Sequence, residues 1–379
     1  MRCAAAVPNL PNPYRYRSLC ESPPRVQREA SVGTTRTRSS ALALTSGPDL
    51  PYPGTVQYFS HFEQMALASP TVVAIGNFDG VHLGHQALLR RVLSLAEQHE
   101  AQAAVLTFNP HPAQFFQPQN EFAYLSPSME KRALLAHFGI DVLLAQAFDS
   151  TFAQRSPAAF VDAILVDALK ARCVVVGYDF RFGQGRLGDV TTLTEMGLER
   201  GFETHVIEPQ TDRAGVPMSS STIRDWLAQG DLQRANAALG RPFHIAGWSI
   251  QGDQRGRRMG FPTVNLAWTG VLNVPGGVYA GWLDVGEGAR PAVINVGQQP
   301  TFGMKRAVRI EAHVIDGPIN VGYGHPIRIW FEDKVRPERA FANVDALVEQ
   351  IARDIGQARR LLRTGEPPPE LLWFSNSAS

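Results

Sequence analysis

The sequence predicts an α/β protein in two parts: a doubly wound parallel sheet, then a small antiparallel β-barrel with a C-terminal helix. Three observations carry this. Short apolar runs alternate with amphipathic helical patterns as far as Leu239, which implies parallel strands joined by crossover helices. Composition then shifts at Gly240-Arg241-Pro242. Beyond that join, short alternating strands are separated by turn signals such as Pro275-Gly276-Gly277 and Asp316-Gly317-Pro318. The join is too short to promise independent motion of the two parts.

In the first part the strands are expected at Val72–Ile75, Ala103–Phe108, Val142–Ala145, Cys173–Gly177 and Thr204–Glu208. Helices are expected at Gln86–Gln98, Met129–His137, Ala158–Ala171 and Val190–Arg200, with a further one through Leu232 to Leu239. In Gln86–Gln98 the apolar positions Leu88, Leu89, Val92, Leu95 and Ala96 recur at helical spacing. The second part offers strands at Phe243–Ile250, Val278–Val285, Ala292–Val296, Val308–Ile315 and Ile327–Phe331, and a closing helix from Val344 to about Leu362. The expected organisation is a leader or disordered segment over 1–51, a first domain over 52–240, a second over 241–365 and a tail over 366–379.

At 379 residues the chain is long enough for two cores. Its 36 basic and 35 acidic side chains nearly cancel, which argues against a polyanion-coating protein and so against a nucleic-acid partner. No apolar stretch reaches the length of a bilayer span. Cys3, Cys20 and Cys173 form neither a metal spacing nor a disulfide framework, so a reducing, cytoplasmic setting is expected. Residues 1–50 carry seven arginines against three acids and lack sustained periodicity. Such a segment reads as a disordered tail, an organellar leader or a start set too early, and the absence of a clear amphipathic helix favours disorder.

Chemistry concentrates in loops that follow predicted strands, where ligands of open α/β sheets bind. The run Gly76-Asn77-Phe78-Asp79-Gly80-Val81-His82-Leu83-Gly84-His85 leads from a strand into a helix. Its glycines let backbone approach phosphate, the helix start offers unpaired N–H groups, and His82 and His85 can face one anion. Asn109-Pro110-His111-Pro112, Gly177-Tyr178-Asp179-Phe180-Arg181-Phe182-Gly183 and Ser219-Ser220-Ser221-Thr222-Ile223-Arg224 fall at the same sheet edge.

These segments resemble the blocks of the bacterial FAD synthetases, nucleotidyltransferases with a His-x-Gly-His signature. The resemblance implies ATP binding by Gly76, Phe78, Asp79, Gly80, His82, Gly84, His85, Ser219, Ser220, Ser221 and Arg224. It implies flavin binding by Asn109, Pro110, Asp179, Phe180 and Arg181. Ser221 stands where threonine is usual, which keeps the hydroxyl. Arg224 suits the polyphosphate, since a guanidinium matches phosphate oxygens bidentately. Asp231 falls where the family carries an acid, a metal-side role, and it equally suits the N-cap of the following helix. The implied chemistry is attack of the FMN phosphate on the α-phosphorus of ATP. That nucleophile is already an anion, so positioning and charge neutralisation matter more than a base, and His82, His85 and Arg224 are the expected catalytic donors.

In the second part, Gly252-Asp253-Gln254-Arg255-Gly256-Arg257-Arg258-Met259-Gly260-Phe261-Pro262-Thr263-Val264-Asn265 resembles the riboflavin kinase signature, with Val264 in place of the usual alanine. It lacks a Walker pattern. Gly252, Arg255, Gly256, Gly260, Thr263 and Asn265 are the ATP-binding candidates here. Thr263 and Asn265, two apart, share a side of an extended chain and offer a hydroxyl and an amide oxygen to Mg²⁺. Val308, Ile310, Ala312 and Val314 alternate with Arg309, Glu311 and His313, which puts Glu311 on the non-core face. The resemblance makes Glu311 the catalytic base that a neutral riboflavin hydroxyl calls for. It also implies that Arg336, Glu338 and Phe341 cover the flavin.

The resemblance spans about Val56 to Leu362 and implies a bifunctional riboflavin kinase/FAD synthetase of prokaryotic type. Riboflavin, FMN and FAD would be substrates and products, ATP the co-substrate and Mg²⁺ the cofactor. Partners would be small molecules, with no membrane, and with weak self-association left open. Two other classes compete. A class I tRNA ligase relative fits the histidine and serine signatures loosely, but near-neutral charge and the flavokinase block oppose it. A non-catalytic flavin sensor would predict loss of His82, Arg224, Thr263 or Glu311, and all four are present.

Overall fold

The computed structural model describes residues 56–362 except 269, 300–306 and 318, together with 367–369 and 371. The leader expected over 1–51 and most of the expected tail lie outside the described residues.

The first part is a six-stranded, wholly parallel sheet in the order β1-β4-β3-β2-β5-β6. The strands are β1 (Gln57–Phe59), β2 (Thr71–Ile75), β3 (Gln102–Asn109), β4 (Val142–Ala147), β5 (Ala171–Gly177) and β6 (Glu203–Ile207). Every residue of β2 is buried, because helices cover both faces of the sheet. The chain runs outward from β2 to β3 and β4, then returns to β5 on the other side of β2. Order therefore reverses between β2 and β5, and the crevice beyond their carboxyl ends is the expected ligand position.

Helices α1 (Leu83–Gln98), α2 (Pro112–Phe116), α3 (Ser128–His137), α4 (Ser150–Ala153), α5 (Pro157–Phe160), α6 (Val190–Arg200), α7 (Ser220–Gln229) and α8 (Leu232–Leu239) follow in chain order. Leu89, Val92, Leu95 and Ala96 of α1 are buried, and Leu88 packs at the margin of the same core, as the spacing predicts. α6 starts where Asp189 accepts from the Thr192 N–H and stops at left-handed Gly201, a cap at each end. The helix expected at Ala158–Ala171 is shorter and mixed. α5 passes into a wider π turn over Val161–Ala168, and Lys170 takes a left-handed conformation just before β5. β1 has only three residues, too few to show a period, and was not predicted.

The second part is a closed antiparallel barrel in the order β10-β11-β8-β7-β12-β9. Its strands are β7 (Phe243–Ile250), β8 (Val264–Ala267), β9 (Gly277–Asp284), β10 (Arg290–Gln299), β11 (Ala307–Val314) and β12 (Pro326–Pro337). A four-residue helix α9 (Arg255–Arg258) lies in the glycine-rich loop, and α10 (Val344–Leu361) packs on β9, β10 and β12. All of β9 is buried, with the barrel core on one side and α10 on the other. β12 runs well past the expected Phe331. Register shifts after Phe331 and Lys334 carry it through the polar run Glu332-Asp333-Lys334, which breaks the alternation a strand is read from. Val308, expected to face the core with Ile310, is 38% exposed.

The two parts are fused through a buried polar cluster. Glu130 on α3 pairs with His244 of β7 at 2.9 Å and with Arg328 of β12 at 3.2 Å. Burial acts to raise the Glu130 carboxyl, but Arg328 and His244 outweigh it and hold it down to about 2. Burial lowers the His244 imidazole to about 4, so it is a neutral N–H donor and Arg328 supplies the charge. Replacing Glu130 with Ala would leave Arg328 buried beside a lost counter-charge. The Glu130→Ala variant should lose about 3–5 kcal/mol of unfolding free energy in urea titration, and a loss below about 1 kcal/mol would place the cluster among exposed ion pairs instead.

Candidate active sites

The loop after β2 is held from the inside by its carbonyls. Asn77 O accepts from Thr107 Oγ1 at 3.0 Å and Lys131 Nζ at 2.8 Å; Asp79 O accepts from Ser220 Oγ at 2.8 Å. Gly80 O accepts from Arg241 Nη2 at 2.7 Å and Val81 O from Gln86 Nε2 at 3.0 Å. Phe78, Gly80 and Val81 all have positive φ, at 48°, 84° and 42°. For a buried β-branched residue such as Val81 this is a strained conformation, and the surrounding bonds over-determine it. With its carbonyls bound inward, the loop presents the N–H groups at the start of α1, where the cap residue His82 makes no side-chain capping bond.

Beside those N–H groups sit the two histidines, ring centroids 3.8 Å apart. Each has a buried Nδ1 with no hydrogen-bond partner. Burial, then the charges of Arg241 and Arg224, push His82 down to about 3. Burial, then His82 and Lys131, hold His85 well below the ordinary imidazole value. Both rings are therefore neutral, with unused polar atoms. The start of α7 meets them: Ser219 caps it by accepting from Thr222 N at 3.1 Å, and Ser220 reaches the loop. The start of α7 is thus tied to the loop that leads into α1, and each helix start offers N–H groups suited to an anion.

Arg224 and Asp79 are brought together as a buried ion pair. Asp79 also accepts from Ser126 N at 3.0 Å and Leu125 N at 3.1 Å. Arg224 Nε donates to Ala123 O at 2.7 Å, and its guanidinium lies 4.4 Å from the Phe122 ring centre. Asp79 and Phe78 are fully buried, so they build the loop from beneath, and Phe78 packs on His85 at 4.9 Å between centroids. Asn109 ends β3, and its bond to Pro110 is cis. Asp179 is exposed, Phe180 stacks on Phe182, and Arg181 pairs with Asp189 at 3.1 Å. Ser221 is exposed on the first turn of α7. Asp231 caps α8 by accepting from Arg234 N at 3.1 Å, so of its two readings the structure displays the N-cap.

In the barrel, register places Glu311 between two asparagines, Asn265 on β8 and Asn295 on β10. Ile310, Ala312 and Val314 are buried, so Glu311 points away from the core as the alternation predicts. Arg309 bridges Glu311 at 2.8 Å and Asp253 of the glycine-rich loop at 2.8 Å. That loop folds closely over Asn265: a Cβ on Gly252 would lie 2.4 Å from its side-chain amide, which would have to shift to admit a larger residue. Gly260 has φ 86°, and Arg255 is exposed on α9. Thr263 and the buried Asn265 offer hard oxygens on one side of the chain, a donor set that fits Mg²⁺. Arg336 is tied to Asp354 of α10 at 2.8 Å and lies over Phe341, while Glu338 is exposed with its carboxylate against Gly276 and Gly297.

Comparison with known proteins agrees with this division. A family model described as FAD synthetase matches residues 64–222, and one described as riboflavin kinase matches 239–362. The bifunctional riboflavin kinase/FMN adenylyltransferase of Escherichia coli K12 is 38% identical over 298 residues, covering 78% of this chain and 94% of that protein. The protein of the same description from Bacillus subtilis is 36% identical over 294 residues, covering 76% and 92%. The chain belongs to the bifunctional riboflavin kinase/FMN adenylyltransferases. A crystal structure described as a macrolide-efflux protein from Streptococcus pneumoniae superposes with a TM-score of 0.72 at 27% identity, over 80% of this chain and 98% of that one. Among the described residues no helix is long and apolar enough to cross a membrane.

In the FAD synthetase half, Lys131 was not singled out from sequence, and His111 was named within its motif without a role. Lys131 on α3 donates to Asn77 O in the loop after β2, and burial lowers it to about 8 despite Asp79 nearby. His111 caps α2 and stacks on Phe122 at 4.5 Å between centroids. In the flavokinase half, Asn295 and the Asp253–Arg309 bridge were likewise missed. Only the register of β10 against β11 reveals Asn295.

Neutral buried histidines make stability depend on pH with a definite sign. His82 and His244 titrate near 3 and 4 in the folded chain and near 6.5 when unfolded. Between those limits the unfolded chain binds more protons, so stability falls as pH falls, by about 1.4 kcal/mol per histidine per pH unit. Urea midpoints should drop between pH 7 and pH 5; an unchanged midpoint would mean that these rings take up protons while folded.

Proposed function

We propose that the parallel-sheet domain, over 52–240, transfers an adenylyl group from ATP to FMN, and that the barrel, over 241–365, phosphorylates riboflavin to FMN. The observation that carries the first assignment is the pair of neutral, unpartnered histidines at the start of α1, with the start of α7 tied to the same loop. An FMN phosphate oxygen attacks the α-phosphorus, a new P–O bond forms, and the bond to the β-phosphate breaks as pyrophosphate leaves. His82, His85 and the α1 and α7 N–H groups stabilise the charge that spreads over the transferred group. Arg224, fixed by Asp79 and Ala123, adds a cation whose position costs nothing to organise. Ser219, Ser220 and Ser221 line the ATP side, and Asn109, Pro110, Asp179, Phe180 and Arg181 the flavin side.

In the barrel Glu311 accepts the proton of the terminal ribityl hydroxyl as its oxygen attacks the γ-phosphorus of ATP and ADP leaves. Arg309 orients that carboxylate and ties it to the nucleotide loop. Mg²⁺, when bound, neutralises phosphate oxygens; Thr263 and Asn265 are the residues that would hold it. Arg336 and Phe341 brace the flavin side, with Glu338 beside them. The reading describes a cytoplasmic enzyme of small-molecule substrates.

Flavin chromatography after incubation with ATP and Mg²⁺ tests both assignments. Glu311→Ala should lower FMN formation by about 10²- to 10⁴-fold, while supplied FMN is still converted to FAD. His85→Ala should do the reverse, with FAD formation down about 10²- to 10³-fold. A folded variant that lost both activities would overturn this division of labour.

A further inference from the structure

The phosphate-side loop of the FAD synthetase domain is held by the barrel side of the join. Arg241 stands between α8 and β7 and is 4% exposed. Its Nη1 donates to Leu239 O at 3.2 Å and its Nη2 to Gly80 O at 2.7 Å, across 161 residues of sequence. Gly80 lies in the middle of the positive-φ stretch that sets up His82. A second arm reaches the same loop: α3 grips the barrel through Glu130 and the loop through the adjacent Lys131, at Asn77 O. The join itself packs on the start of α1. A Cβ on Gly240 would meet Leu83 at 2.9 Å, and Leu239 O accepts from Gln86 Nε2 at 3.0 Å.

Among the described residues, the side chains of Glu311, Arg309 and Asp253 find their ion-pair partners within the barrel. We propose that Arg241 is a positioning residue for adenylyl transfer, through which the docked barrel holds the phosphate-side loop in its strained, donor-presenting conformation, so that FAD formation depends on the domain interface and FMN formation does not. Arg241 touches neither flavin nor nucleotide in this scheme. It acts through the Gly80 carbonyl, and losing that charge-assisted bond leaves a buried acceptor unpaired.

This rests on the assignment of adenylyl transfer to the first site, and the wild-type enzyme run alongside tests that assignment separately, by whether it converts FMN to FAD. The full-length Arg241→Met and Arg241→Lys variants should be assayed for both reactions on the same preparations. Arg241→Met is expected to lower kcat for FAD formation roughly 10- to 100-fold, with riboflavin phosphorylation at the wild-type rate. Arg241→Lys, which keeps a charged donor, should recover most of the loss. The proposal is overturned if both activities of Arg241→Met fall together, if FAD formation is unaffected, or if the lysine variant is as impaired as the methionine one.

Discussion

The first active site depends on one buried carboxylate. Taking Asp79 out of water is costly unless its charge is paired and its oxygens are bonded, and here both conditions are met: Arg224 supplies the charge and the Leu125 and Ser126 amides fill the remaining lone pairs. Because its partners come from two other segments, the pairing fixes three things at once: the loop after β2, the chain before α3 and the start of α7. The Asp79 carbonyl then accepts from Ser220, which draws the α7 N-terminus against the loop. Without the buried acid, the two helix starts would have no common reference.

The two halves solve different electrostatic problems. Adenylyl transfer to an existing phosphate needs donors without a base. The histidines accordingly sit where burial and nearby cations keep them neutral, with nitrogen atoms unused by the protein. Phosphoryl transfer to an alcohol needs an acceptor for a proton. Glu311, proposed for that task, lies on the outer face of a strand, paired with Arg309 and set between two asparagines. A buried, Asp79-like setting would suit Glu311 badly, since a carboxylate fully occupied by N–H groups has little capacity left for a substrate proton.

Local features were legible in the sequence, and distant pairings were not. Gly76 to His85 announces itself because the strand, the glycines and the helix start are contiguous. The outward position of Glu311 follows from period-two alternation around it. The sequence likewise offers Arg224 as a cation for phosphate, but not its second duty, since Asp79 lies 145 residues away. Arg336 is similar: it reads as a flavin-side residue, yet it also anchors α10 through Asp354. Lys131 and Arg241 carry no local signal, because a helix lysine and a linker arginine are ordinarily solvated. Their meaning depends on burial against a loop 54 and 161 residues distant.

The buried polar groups at the join explain why the two domains are not merely tethered. Burial lowers Arg241 to about 10, still protonated at neutral pH, and Glu130 is the nearby charge that opposes the shift. Glu130 also compensates Arg328 and receives the neutral His244. One acid on α3 thus serves charges from the barrel and from the linker. Removing the Glu130 carboxylate while the domains stay docked would leave Arg328 and Arg241 buried without their counter-charge. Apolar residues of α8 such as Leu232, Ala235 and Leu239 pack on the barrel beside this cluster, and together they set the docking register. That register brings Arg241 to Gly80 and Gly240 to the start of α1, so the geometry of the first site is inherited from the docking of the second domain.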